Sequence, residues 1–167
     1  MTPATDRQQW YPMRVTYRRE QRVKTVLDAL HVENFLPASP VGLIFVHASA
    51  TELSRLCADN ESLSSMHHVM TIPADSSVLP EVVRVPDAEM RNYLRVASVN
   101  DDTVFALDHV PSAYATARRV TITDGPFAGV EGILRRIGKN RRVVVIAAGL
   151  SAVAISYVPP VWVHYID

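Results

Sequence analysis

The chain has 167 residues, 48% of them apolar and 20% charged, which suits a folded protein and excludes general disorder. Its formal charge is zero but unevenly placed. Residues 113–167 carry seven Lys/Arg against three acids, and residues 1–112 carry ten against fourteen. Such asymmetry suggests two units with different surfaces, the basic one suited to nucleic acid.

The single cysteine, Cys57, leaves no intramolecular disulfide and no thiolate metal cluster. The start, "MTPATDRQQW", lacks the basic-then-apolar layout of a signal peptide. The most apolar stretch, Val143–Val158, is short for a membrane span and is broken by Gly149, Ser151 and Ser156. The expectation is a cytoplasmic protein.

In chain order, "WYPMRVTY" (10–17) reads as a strand, with Pro12 implying an edge or a bulge. In "REQRVKTVLDAL", Val23, Val26, Leu27 and Leu30 fall at helical spacing, with Arg19, Arg22 and Lys24 off that stripe. "VGLIFVHA" (41–48) is a nearly all-apolar run, the pattern of a central strand. Ser49-Ala-Thr-Glu52 fits a capping box that opens a second helix burying Leu53, Leu56 and Cys57. Strands are expected at Met66–Ile72 and Glu81–Val85, with "PADSS" turning between them. Pro86-Asp87 opens a third helix with Met90, Tyr93 and Leu94 on its apolar side. Strands interleaved with helices indicate an α/β or α+β unit.

Residues 100–117 lack periodicity, and beyond them the pattern changes. "RRVTIT", "GVEGILRRI", "RRVVVIA" and "AVAISYV" are short strands separated by DGPF, GKN and GLS turns, the spacing of a small all-β barrel. In "TDGPFAGVEG" (123–132), Asp124 can hold its own downstream backbone, Gly125 supplies a permissive φ, and Pro126 fixes the turn. Gly132, inside a β pattern, marks a bulge or a close backbone approach.

Residues 120–132, Val-Thr-Ile-Thr-Asp-Gly-Pro-Phe-Ala-Gly-Val-Glu-Gly, followed by a basic hairpin and "VVV", resemble the KOW motif at the C-terminus of NusG-type transcription elongation factors. The first half resembles the same family independently. "WYPMRVTYRREQRVKTVLDALHVENFLP" is similar to the opening of the NusG N-terminal domain, "GLIFVH" to its central strand, and "VPDAEMRNYL" to its last helix. "LIFVH", "VPDAEM" and the near-terminal "YVPP" look most like the specialised paralogues that act as antiterminators on capsular-polysaccharide operons.

The resemblance implies an α+β N-terminal domain over residues 8–110, a four-stranded antiparallel sheet with flanking helices. A linker at 111–117 and a five-stranded, SH3-like KOW barrel at 118–167 would follow. It implies a non-enzymatic factor whose N-terminal domain binds the coiled coil of the largest RNA polymerase subunit through an apolar depression, suppressing pausing or termination. By position, Leu43 and Phe45 fall where the family makes those contacts, with Met66 and Val85 as further candidates for the same depression. Arg18, Arg19 and Arg22 match the basic region that approaches upstream DNA in relatives. Arg135 and Arg141 of the basic hairpin are candidate nucleic-acid contacts, with nascent RNA a further partner. Adjacent arginines in a strand point to opposite faces, so one continuous basic stripe is not expected.

The chain departs from the family pattern at three places, one of them Ala117-Arg118 ahead of the KOW strand, where Gly followed by Asp or Gln is common. Between "FLP" (35–37) and "VGLIF", where relatives often carry a longer basic hairpin, only Ala38-Ser39-Pro40 stand. Val130 and Ala148 occupy positions where general NusG carries aromatics that help bind Rho or a ribosomal protein, which argues against those partners. A second function class is a KOW-type RNA-binding or ribosome-associated protein without polymerase binding. An exposed apolar patch at Leu43 and Phe45 would favour polymerase; a polar face there with arginines clustered on the barrel would favour RNA.

No catalytic chemistry is expected. His67 and His68 face opposite ways if they lie in a strand, and no Cys or carboxylate is spaced to complete a metal shell with them and His47. Asp101-Asp102 reads as a loop or helix end, Cys57 as a core thiol, and no phosphate loop or dinucleotide fingerprint occurs. No cofactor is implied.

Overall fold

A computed structural model describes residues 6–16 and 18–166. Tyr17, in the expected first strand, Asp167, at the expected end of the barrel, and the five N-terminal residues lie outside them. The fold is mixed α and β, with a four-stranded and a separate six-stranded antiparallel sheet. Contacts divide the chain into two compact units, Met1–Asp87 and Ala88–Asp167.

The first unit holds β1 (Gln9–Val15), α1 (Glu20–Ala29), β2 (Asn34–Phe35), β3 (Leu43–Ala48), α2 (Ala50–Asp59) and β4 (Met66–His68). Its strand order is β2-β3-β1-β4. Tyr11, Met13 and Val15 share one face with Ile44, Val46 and Ala48, because strand side chains alternate. Those six residues form one core with Val23 and Leu27 of α1 and Leu53 of α2. Leu30 lies past the end of α1 and is exposed, so the apolar stripe stops one turn earlier than its spacing suggests. His31, at φ 58, turns the chain out of the helix, and Val32 N–H returns to Leu27 O at 2.9 Å. Ser49 caps α2 as expected, its hydroxyl accepting from Glu52 N–H at 3.1 Å.

Two expectations for this unit need correction. The strand carrying Pro12 is internal, between β3 and β4. Proline fits there because its carbonyl faces β4, accepting from Val69 N–H at 3.4 Å, and its protonless nitrogen faces the same side where the ladder ends at Met13–His68. Residues 81–85 form no strand. That segment makes single bridges, Met70 to Val82 and Trp10 to Val85, and Pro73 and Pro80 interrupt any longer ladder.

The second unit holds α3 (Asp87–Ala97, from Ala88 onward), β5 (Val104–Ala106), β6 (Arg119–Ile122), β7 (Glu131–Ile137), β8 (Asn140–Ala147), β9 (Ser151–Ile155) and β10 (Val163–Ile166). The sheet order is β10-β6-β7-β8-β9-β5. It has six strands where five were expected. β5 comes from the segment without periodicity and adds to the edge of β9, Phe105 opposite Ala154, satisfying backbone groups that an edge leaves open. Residues 111–117, expected as a linker, lie within this unit and include a single 3₁₀ turn at Tyr114–Thr116.

α3 is tied to this unit by polar contacts; its buried residues are Met90, Tyr93 and Val96. Asn92 engages both backbone groups of Glu131, at 2.6 and 2.7 Å. Arg95 donates to Ala128 O at 2.7 Å and to Pro126 O at 3.3 Å, Glu89 accepts from Ala148 N–H at 2.6 Å, and the Tyr93 and Ser151 hydroxyls meet at 2.7 Å.

Candidate functional site

Register sorts the four apolar candidates into two groups. Leu43, Phe45 and His47 alternate away from the helix-backed core, and their partners Arg14, Pro12 and Trp10 stand beside them. Val85 bridges to Trp10 and joins that second face, as does Phe35, opposite Phe45. Met66 does not. It pairs with Val15 and packs in the core with α1 and α2, so it is removed from the depression and reassigned as a core residue.

Leu43 and Phe45 are 0% exposed and Val85 2%. The exposed apolar patch that would favour polymerase is not seen, nor is the polar face that would favour RNA: the face is apolar and covered. Two residues that sequence reasoning passed over complete it. Trp10 stacks on His47 with ring centroids 4.9 Å apart, and His47 Nδ1 lies 3.0 Å from the Glu33 carboxylate. The two-residue period from Leu43 through Phe45 already pointed to His47.

His67 and His68 face opposite sides of β4, paired with Arg14 and Met13. His68 sits edge-on to Tyr11 at 5.2 Å, with the Arg84 guanidinium 5.8 Å from the same ring. Burial, and then the charge of Arg84, hold the His68 pKa below its usual 6.5. Among the described residues no group of three His, Cys, Asp or Glu is placed to hold a metal. Cys57 is half-buried beside the core, and burial pushes its thiol pKa up.

Arg18, Arg19 and Arg22 are exposed at the start of α1. Arg18 takes φ 69, Arg19 precedes the helix without a side-chain cap, and Arg22 Nε donates to the Ser62 hydroxyl at 3.0 Å. Positive charge there opposes the helix dipole, so the charge of these arginines does not favour α1.

The basic hairpin of β7 and β8 divides its four arginines by face. Arg135 is opposite Arg142, and Arg136 is opposite Arg141. The first pair is half-buried and structural: Arg135 donates to Ser112 O, Arg142 donates to Ser156 O, and the Arg142 guanidinium lies 5.2 Å from the Phe105 ring centroid. The second pair is exposed. Thus Arg135 and Arg141, both candidate nucleic-acid contacts, fall on opposite faces, and only Arg141 stands open to solvent.

The turn at Asp124-Gly125-Pro126 keeps its expected shape for a partly different reason. Asp124 accepts from the Thr123 hydroxyl at 3.2 Å, where a downstream backbone donor was expected. Gly125 has φ 85, and a Cβ there would lie 2.5 Å from the Trp162 ring. Gly132 is a close approach: a Cβ would lie 2.4 Å from Val144 O. Val130 is fully buried, and Ala148 gives its N–H to Glu89. No described helix is long and apolar enough to cross a membrane.

No protein-family model matches the chain, and no curated protein matches it closely enough to show a relationship.

Proposed function

We propose that this chain is a transcription elongation and antitermination factor of the NusG type. It binds the coiled coil of the largest RNA polymerase subunit through the second face of its four-stranded sheet and suppresses pausing or termination, with polysaccharide-synthesis operons as targets. The observation that carries this reading is the gathering of Leu43, Phe45, Val85 and Trp10 on the face that α1 and α2 do not use. A sheet needs one apolar face for its own core; a second one needs another apolar surface to meet it, which the free chain supplies from its own residues, since Leu43, Phe45 and Val85 are buried. Because these side chains are covered, engagement of a partner requires that face to be uncovered first. Arg18, Arg19 and Arg22, exposed at a helix end whose dipole opposes their charge, are assigned to upstream DNA, where guanidinium pairs with phosphate without reading sequence.

The test is binding of the full chain to a polymerase fragment carrying the coiled coil, with Phe45→Ala, Val85→Ser and Met66→Ala beside it. The expected result is saturable binding that Phe45→Ala and Val85→Ser weaken and Met66→Ala leaves intact wherever circular dichroism reports a folded protein. Loss of binding through Met66→Ala alone, or no binding by the folded parent, would overturn the assignment.

A further inference from the structure

We infer that the open edge of β10 is a docking site for an extended, acid-bearing segment of a partner protein, which adds to the six-stranded sheet as a further antiparallel strand. β10 (Val163–Ile166) lies at one end of that sheet and pairs only with β6. Hydrogen bonds fix which of its backbone groups are already used. Ile122 turns its backbone toward β7, giving its N–H to Val130 O at 2.9 Å and accepting from Gly129 N–H at 2.7 Å. Thr123 turns the other way and donates its N–H to Trp162 O at 2.8 Å. Along an antiparallel pair this direction alternates with each residue. Thr121 therefore bonds to His164 and Arg119 to Ile166, and the N–H and C=O groups of Val163 and Tyr165 point outward. Among the described residues no backbone group meets them. A strand is the partner whose own backbone matches that alternation.

The side chains favour the same occupant. Val163 and Tyr165 stand opposite Ile122 and Val120, both buried, so they carry the apolar face of the sheet out to its edge. Tyr165 is 50% exposed there, and Val161, just ahead of the strand, is 74% exposed. Edges are commonly blunted by proline or by a charged side chain, and Val163–Ile166 contains no proline, lysine or arginine. At the other end of the sheet the chain fills the open side of β9 with β5. The charge comes from Arg118, whose guanidinium lies 4.0 Å from the Tyr165 ring centroid. Among the described residues no carboxylate is within ion-pair distance of it. An acid on the added strand, next to Tyr165, completes a charge-assisted pair. The β10 strand of a second copy carries no acid, so self-pairing leaves Arg118 unmatched. A nucleic acid or a membrane has no row of alternating N–H and C=O groups to offer the edge.

The inference does not depend on polymerase binding, and its test is separate. The isotope-labelled full chain would be titrated by NMR, up to millimolar concentration, with a short peptide of threonines carrying glutamate at its second position and valine at its fourth and sixth. That order sets the acid beside Arg118 and the valines along Val163 in an antiparallel pairing. In the free chain the Val163 and Tyr165 amides should exchange with deuterated solvent well ahead of the His164 amide. On titration both resonances should shift saturably and their exchange should slow. Tyr165→Pro removes an outward N–H without touching the β6 ladder, and should weaken binding about 10-fold or more wherever circular dichroism reports a folded protein. Arg118→Glu leaves the backbone unaltered; it should weaken this peptide and favour a companion with lysine in place of glutamate. Lys139→Ser, in the turn between β7 and β8, should change neither. Val163 and Tyr165 amides already protected in the free chain, no saturable shift, or equal weakening by Lys139→Ser would overturn the inference. Concentration-dependent dimerisation abolished by Tyr165→Pro would overturn it too, by giving the edge to a second copy.

Discussion

Gly132→Ala should selectively destabilise the second unit. The added Cβ would lie 2.4 Å from Val144 O, 3.0 Å from Val143 Cγ1 and 3.2 Å from the Val144 carbonyl carbon. A close carbon–oxygen contact in a sheet is about 3.3–3.6 Å, so β7 and β8 must separate by nearly 1 Å at this point. The obstacle is backbone held in the ladder at Ile133–Val144, which cannot rotate away like a side chain. Overpacking of this kind costs about 1–3 kcal/mol and is offset by about 0.4–1 kcal/mol from the stiffer unfolded chain. With a backbone obstacle the upper part of that range applies, leaving about 2 kcal/mol. For a unit running from Ala88 to Asp167 this lowers Tm by roughly 8–16 °C. The assay is thermal unfolding followed by Trp162 fluorescence in a Trp10→Phe background, which leaves one tryptophan, in the second unit. Gly138→Ala is the comparison: a Cβ there meets nothing within 4 Å, so its cost comes only from the positive φ, 65, which Gly132 does not share. If Gly132→Ala melts no lower than the parent protein, the close-approach argument is refuted.

Burial pushes the Tyr93 pKa from 10.0 up to about 12, so its stabilising effect is complete below pH 10 and is lost as pH rises toward 12. The difference corresponds to about 3 kcal/mol at full ionisation, and Tyr93→Phe should flatten the alkaline limb of a stability–pH curve; an unchanged limb counts against it. For His68 the sign is opposite: its pKa is held below 6.5, so its contribution is complete above pH 6.5 and falls as pH drops through the lowered value. His68→Gln should make urea midpoints less sensitive to acid, and an identical acid limb would refute this. Arg142→Ala, which removes a bond to Ser156 O and the stack on Phe105, should cost about 1–2 kcal/mol in urea unfolding, whereas Arg141→Ala should stay within about 0.5 kcal/mol.

Local chemistry was legible in the residue order wherever it acts over a few positions. The Ser49 cap, Met90 and Tyr93 of the α3 stripe, and the bend at Gly125 occur at their expected places, whereas Leu94 of that stripe is only half-buried and Val96 is the third buried residue. Alternation alone separated Arg135 from Arg136. What alternation lacks is a partner, because it says that two residues face opposite ways without saying which side is covered. Only pairing decided that Arg135 and Arg142 are tied to backbone carbonyls while Arg136 and Arg141 face solvent. The same limit misplaced Met66, whose face follows from its register with Val15 across fifty intervening positions. β5 escaped notice because a strand of three residues owes its existence to the open edge of β9 and carries almost no pattern of its own. Short-range geometry is written in spacing; faces, edges and burial are set by contacts between residues far apart in the chain.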